Sequence, residues 1–120
     1  MVKYAEGCRL WSNDETGFAE AVAAAEKSDI AIVVVDTWSL DRTLLWTPGT
    51  TATIGEHVDV SNLGLVGVQR ALVQAVQAVG KPAVAMFVSG KPVAEPWIAA
   101  RTTLLFSTYV LCMLTGYDDR

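Results

Sequence analysis

The sequence predicts an α/β fold, a doubly wound and mainly parallel sheet with helices on both faces. Three features carry the prediction: two short apolar runs (IAIVVV at 30–35 and AVAMFV at 83–88), an apolar period of helical spacing between them, and a long Thr-, Gly- and Trp-rich stretch after the first run. Apolar runs without polar alternation suit strands covered on both faces. Two parallel strands must be joined by a crossover that packs back onto the sheet, so the intervening period reads as its helix.

The elements follow in order. Ser12 with Glu15 three residues later fits a capping box, and Phe18, Ala21, Val22 and Ala25 share a helical face with Glu20 and Lys27 outward, predicting a helix over 14–27. The first strand then runs over 30–35 and ends at Asp36. Residues 37–64 contain Trp38, Trp46, Pro48, Gly49 and Gly55 without a sustained apolar period; connections this long in compact domains usually carry function. Leu65, Val68, Leu72, Val76 and Val79 predict a helix over 65–79, stopped by Gly80 and Pro82. The second strand occupies 83–88, Pro92, Pro96 and Trp97 mark a turn and a short helix start, and residues 103–114 are expected to supply a third strand.

Composition narrows the function. A chain of 120 residues and 12.9 kDa has the length of one domain. Its formal charge of −4 and pI near 4.8 argue against nucleic acid or an anionic membrane surface as partner. The most apolar stretch, 104–114, is shorter than the roughly 20 residues of a membrane span. A mean hydropathy of +0.34 with 18% charged residues is greasy for an isolated domain and points to a neighbouring surface. Cys8 and Cys112 are too few for a disulfide scaffold, and residues 1–7 contain no apolar core of a secretory signal.

In open α/β sheets ligands meet the carboxyl ends of the strands, so the segments after Val35 and Val88 are the ones to search. The densest polar group there is Gly55-Glu56-His57-Val58-Asp59. A carboxylate at Glu56 can serve as general acid or base if apolar packing, for instance from Trp38 and Trp46, raises its pKa; a solvated loop in which Asp59 leads into a helix is the competing reading. His57 is the sole histidine and too few ligands surround it for zinc, so no metal is expected. Ser89-Gly90-Lys91-Pro92 lacks phosphate-loop spacing and reads as a structural turn. Neither Ser39 nor Ser89 has a local base, and Cys8 reads as a packing residue. The four tryptophans suit sugar stacking or core filling equally.

Taken in order, VKYAEGC, FAEAVAAAEKSDIAIVVV, GEHVDVSNLGLVGVQRALVQAVQAVGKP and VSGKPVAEPWIA resemble the C-terminal α/β domain of glycoside hydrolase family 3, the family of β-glucosidases and β-xylosidases. The resemblance covers about residues 2–99 and implies retaining hydrolysis of β-glucosides or related oligosaccharides at a cleft between two domains. An aspartate nucleophile would lie on a preceding TIM-type barrel, and an acid/base glutamate on this domain. The Gly55-Glu56 position looks like that glutamate, so the role carries to Glu56, with Trp38, His57 and Asp59 as expected substrate contacts and Asp36 as a weaker one. No cofactor is implied. A barrel of about 250 residues does not fit in this chain, so the chain is expected to be a fragment that is inactive alone.

After Trp97-Ile98-Ala99 the resembled family continues through a helix into a strand that ends in an aromatic-x-Pro-Gly turn and a glycine-rich segment, and RTTLLFSTYVLCMLTGYDDR shows neither the turn nor the glycine-rich segment. The expectation is a partial family domain over 1–99, a divergent and poorly ordered tail over 100–120, and an incomplete αβα sandwich. A non-catalytic sugar-binding or interaction module using Trp38 and Trp46 is the alternative reading. A nucleotide-binding domain is disfavoured, because no glycine-rich loop follows the first strand.

Overall fold

The computed structural model describes residues 1–37 and 63–109. The chain runs α1 (Phe18–Glu26), β1 (Ala31–Asp36), α2 (Gln69–Gln77), β2 (Ala83–Ser89), α3 (Pro96–Arg101) and β3 (Leu104–Tyr109). The strands form one sheet of order β1-β2-β3, parallel throughout, with Val33 opposite Ala85, Val35 opposite Phe87 and Ala85 opposite Leu105. The third strand expected from residue 103 is thus present at Leu104–Tyr109, inside the segment expected to be a divergent, poorly ordered tail.

The α/β character and the parallel pairing are as the sequence predicts, but the covering of the sheet is one-sided among the described residues. Val33 and Val35 of β1 and Ala85 and Phe87 of β2 pack with Ala25 of α1, Leu72, Val73 and Val76 of α2 and Ile98 of α3 in a single cluster. On the other face Ile32 and Val34 are 62% and 56% exposed, so β1 is not the doubly buried strand that its unbroken apolar run suggested. Topology gives the reason. Parallel crossovers are almost always right-handed, and two of them stepping in the same direction, β1 to β2 to β3, lay α2 and α3 on the same face.

Both long helices start later than the sequence suggests. Ser12 does not cap α1: its Oγ accepts the Asp14 N–H at 2.9 Å, and Asp14 Oδ1 accepts the Thr16 N–H at 2.9 Å. Side chains that bond two residues ahead stabilise turns in competition with helix, which delays α1 to Phe18. Before α2, Gly67 lies at φ +61, where a Cβ would also collide with the Ser12 carbonyl oxygen, and this left-handed residue interrupts the helical path from Leu65. Gly80, at φ +78, closes the C-terminal end of α2 by donating its N–H to Gln77 at 3.0 Å. Pro96 begins α3, where its missing N–H costs no helical hydrogen bond, and the Arg101 guanidinium lies 5.4 Å from the centre of the Trp97 ring.

Candidate functional site

The carboxyl ends of β1 and β2 lie side by side, as parallel strands with a common register require: Asp36 is opposite Val88, and Thr37 donates its N–H to Val88 O at 3.2 Å. The buried polar residues Thr37, Gln69, Ser89, Lys91 and Glu95 all gather at this end of the molecule. Burying polar groups is costly unless they are hydrogen-bonded, and the bonding here is dense.

Ser89 is the centre of one group. Its hydroxyl donates to Lys91 O at 2.6 Å and accepts the Lys91 N–H at 3.1 Å. With its single proton committed, its 2.8 Å contact with the Thr37 hydroxyl is one in which Thr37 donates. The structural-turn reading of Ser89-Gly90-Lys91-Pro92 agrees with this geometry, since the serine oxygen is consumed in shaping the backbone. Lys91 is buried, and loss of solvation pulls its ammonium pKa below the ordinary lysine range.

Gln69 is the centre of the second group. Its Oε1 accepts the Asp36 N–H at 2.9 Å, while Nε2 donates to Asp36 O at 3.0 Å, Leu10 O at 3.0 Å and Val66 O at 3.3 Å. The Asp36 carboxyl is pushed above the usual carboxylate range by burial, a shift opposed by its hydrogen bond from the Thr37 N–H. Glu95, also buried, accepts the Leu65 N–H at 2.9 Å and approaches Arg70 at 3.8 Å.

Of the residues singled out from sequence, Asp36 stands at this edge. Trp38, Trp46, Glu56, His57 and Asp59 lie outside the described residues, as does Cys112. The segment that contains the first five leaves the sheet at Thr37 and rejoins the described chain at Leu63, whose carbonyl accepts the Ala94 N–H at 2.9 Å. The Cys8 thiol is held above its ordinary pKa by burial and then by the charge of Glu6, an environment for packing rather than for a reactive thiolate. Sequence reasoning missed Gln69 and Glu95. A signal for Gln69 existed, because a polar residue stands at 69 on the stripe whose other members, Leu72, Val73 and Val76, are core.

The comparisons with known proteins agree with one another. Residues 1–111 match the glycosyl hydrolase family 3 C-terminal domain. The chain is 32% identical over 115 residues to a β-xylosidase of Formosa agariphila, an alignment that takes in 96% of this chain and 14% of that protein. Among solved structures it resembles a GH3 exo-β-xylosidase bound to a xylobiose aziridine activity-based probe, at 28% identity and a TM-score of 0.64 over 82% of this chain and 11% of the other. It also resembles a β-glucosidase from Erythrobacter marinus, at 25% identity and a TM-score of 0.53 over 77% and 12% of the two chains. In each case the chain spans a small part of its relative's length.

Proposed function

Because the chain belongs to the glycosyl hydrolase family 3 C-terminal domain family, we propose that it supplies one wall of a β-glycosidase cleft, with Glu56 as the acid/base carboxyl and a barrel domain as the opposite wall. The observation that supports the reading is where the described residues flanking the Glu56 segment, Thr37 and Leu63, stand in the fold. Thr37 is bonded to Val88 and Leu63 to Ala94, both at the carboxyl edge of a parallel sheet, where α/β proteins bind ligands.

Retaining hydrolysis needs two carboxyl groups about 5 to 5.5 Å apart. One attacks the anomeric carbon; the other gives its proton to the leaving oxygen and afterwards takes a proton from the attacking water. In this proposal Glu56 performs both proton transfers, and the attacking carboxylate belongs to the barrel. Trp38, His57 and Asp59 contact the sugar. The relatives are named for both xylosides and glucosides, so the substrate class is a β-linked xyloside or glucoside, with the choice left to the barrel side of the pocket.

A test is to assay the 120-residue chain on aryl β-xyloside and β-glucoside and to weigh the native protein in its source, detected through a peptide from 65–81. The chain alone should show no turnover, and the native mass should be several times 12.9 kDa. Turnover by the isolated chain that disappears in Glu56→Gln, or a native mass near that of the chain, would overturn the two-wall account.

A further inference from the structure

Among the described residues β1 is an edge of the sheet, yet its sequence and surroundings suit a strand with a neighbour on each side. The Ala31 N–H donates to Pro82 O and the Thr37 N–H to Val88 O, so the odd-numbered residues bond β2, and the N–H and C=O groups of Ile32, Val34 and Asp36 point outward. At Asp36 both groups are taken by the Gln69 side chain, as a neighbouring strand would take them. Nothing among the described residues bonds the outward groups of Ile32 and Val34. Edges that face water are commonly blunted by a charge, a proline or a bulge. Residues 31–35 contain neither charge nor proline, and their register with β2 is unbroken.

A groove of about 310 Å³ runs along this edge. Residues 30–34 form one wall and residues 3–7 the other, Ala21, Ala24, Leu72 and Val76 contribute to the floor, and no residue of β2 lines it. The far wall is held at both ends: Lys3 Nζ donates to Lys27 O at 2.6 Å, and Gly7 lies so close to Leu72 that a Cβ would stand 2.6 Å from its Cδ2. That wall makes no hydrogen bond to residues 30–34. The space is about ten times the ~30 Å³ share of a water molecule, too large for a packing flaw. Its long side is a row of unmet backbone donors and acceptors, which an extended chain satisfies and a compact small molecule does not. Alanine, leucine and valine side chains face it from the floor, and Ile32 and Val34 are exposed on the open side, so the occupant must be apolar on both faces.

We propose that this groove is a slot for one extended apolar strand, supplied by the polypeptide that carries the opposite wall of the cleft. That source rests on the proposed function; the slot itself does not. A second copy of this chain fits less well, because residues 3–7 stand in the way of its sheet. Three half-exposed side chains, Ile30, Ile32 and Val34, also fall well short of the roughly 800 Å² per partner of a stable interface. A longer polypeptide has chain to spare, since the match takes in only 14% of the Formosa agariphila β-xylosidase.

Hydrogen exchange read residue by residue, in the 120-residue chain and in the intact native protein, tests the slot. In the chain alone the Ile32 and Val34 amides should exchange at least about tenfold faster than those of Val33 and Val35, which are bonded to β2; in the native protein they should slow about 100-fold or more and match them. The proposal is overturned if the four amides are equally protected in the chain alone at every concentration, because its own residues then fill the groove. It is also overturned if Ile32 and Val34 slow only as the concentration of the chain rises, because a second copy then fills it, or if they stay fast in the native protein. Should the chain alone not hold its fold, the same four amides in the native protein decide. A native mass near 12.9 kDa overturns the two-wall reading and with it this source of the strand, whereas a mass several times larger with Ile32 and Val34 still fast overturns the slot and leaves that reading standing.

Discussion

On the covered face of the sheet, Val33, Val35, Ala85 and Phe87 meet Leu72, Val73, Val76 and Ile98 with no polar side chain among them; two residues further along the same strands, Thr37 and Ser89 are as deeply buried and wholly polar. The covered face gains free energy from apolar area removed from water, in proportion to that area and with little regard to direction. The carboxyl edge gains little net energy, because each buried hydroxyl, amide or carboxyl must first lose its water. What it acquires is direction, since hydrogen bonds fix where the backbone leaves the sheet. The first region explains why the chain folds, the second what sets the course of the backbone at the carboxyl edge.

The contrast is sharpest in the core. Phe87→Ala should cost about 3–5 kcal/mol through lost burial and the cavity left behind, seen as a large drop in the urea midpoint or outright unfolding of so small a domain. Ser89→Ala changes one atom yet leaves the Lys91 N–H, the Lys91 carbonyl and the Thr37 hydroxyl without their shared partner, so a loss of about 1–3 kcal/mol is expected in the same titration. A neutral Ser89→Ala would break the comparison, because the edge network would then have no measurable hold on the fold.

The open face should respond least to truncation. Ile32→Thr is expected to change stability by no more than about 0.5 kcal/mol, as surface positions do. A loss near that of Phe87→Ala would mean that this face is covered in solution. Asp36 gives a smaller, pH-dependent effect. Its carboxyl titrates above the usual range in the folded state, so its contribution is most favourable below the ordinary aspartate pKa and is lost as pH rises through the raised value. Asp36→Asn and the parent should therefore be equally stable near about pH 3, with the variant slightly ahead at neutral pH, as followed by thermal melts at each pH.

Much of the fold was legible because it depends on apolar patterning. The runs at 30–35 and 83–88 place β1 and β2 within a residue of their observed limits, and Leu72 and Val76, two members of the helical period, are buried on α2. What the pattern does not encode is direction across the sheet. An unbroken Ile/Val run looks the same whether one face is covered or two, and only the order β1-β2-β3 leaves Ile32 and Val34 outside. Helix starts were misplaced for a local reason: Ser12 and Asp14 spend their side chains on turns, and Gly67 takes a left-handed conformation. At the site, Asp36 and the two strand ends were readable from parallel topology. Gln69 and Glu95 were not, since their partners are backbone groups of Asp36 and Leu65, about 30 residues away in the chain.

The central claim is that Glu56 transfers the proton to the leaving group. It is tested most directly by comparing Glu56→Gln with the parent in the intact native protein on two aryl glycosides of the same sugar, one with a poor leaving group and one with dinitrophenolate, which departs without protonation. The account predicts that kcat/KM for the poor leaving group falls by about 100-fold or more while the bond to dinitrophenolate is cleaved at a rate close to the parent's. Equal losses on both substrates, or none on either, would contradict it.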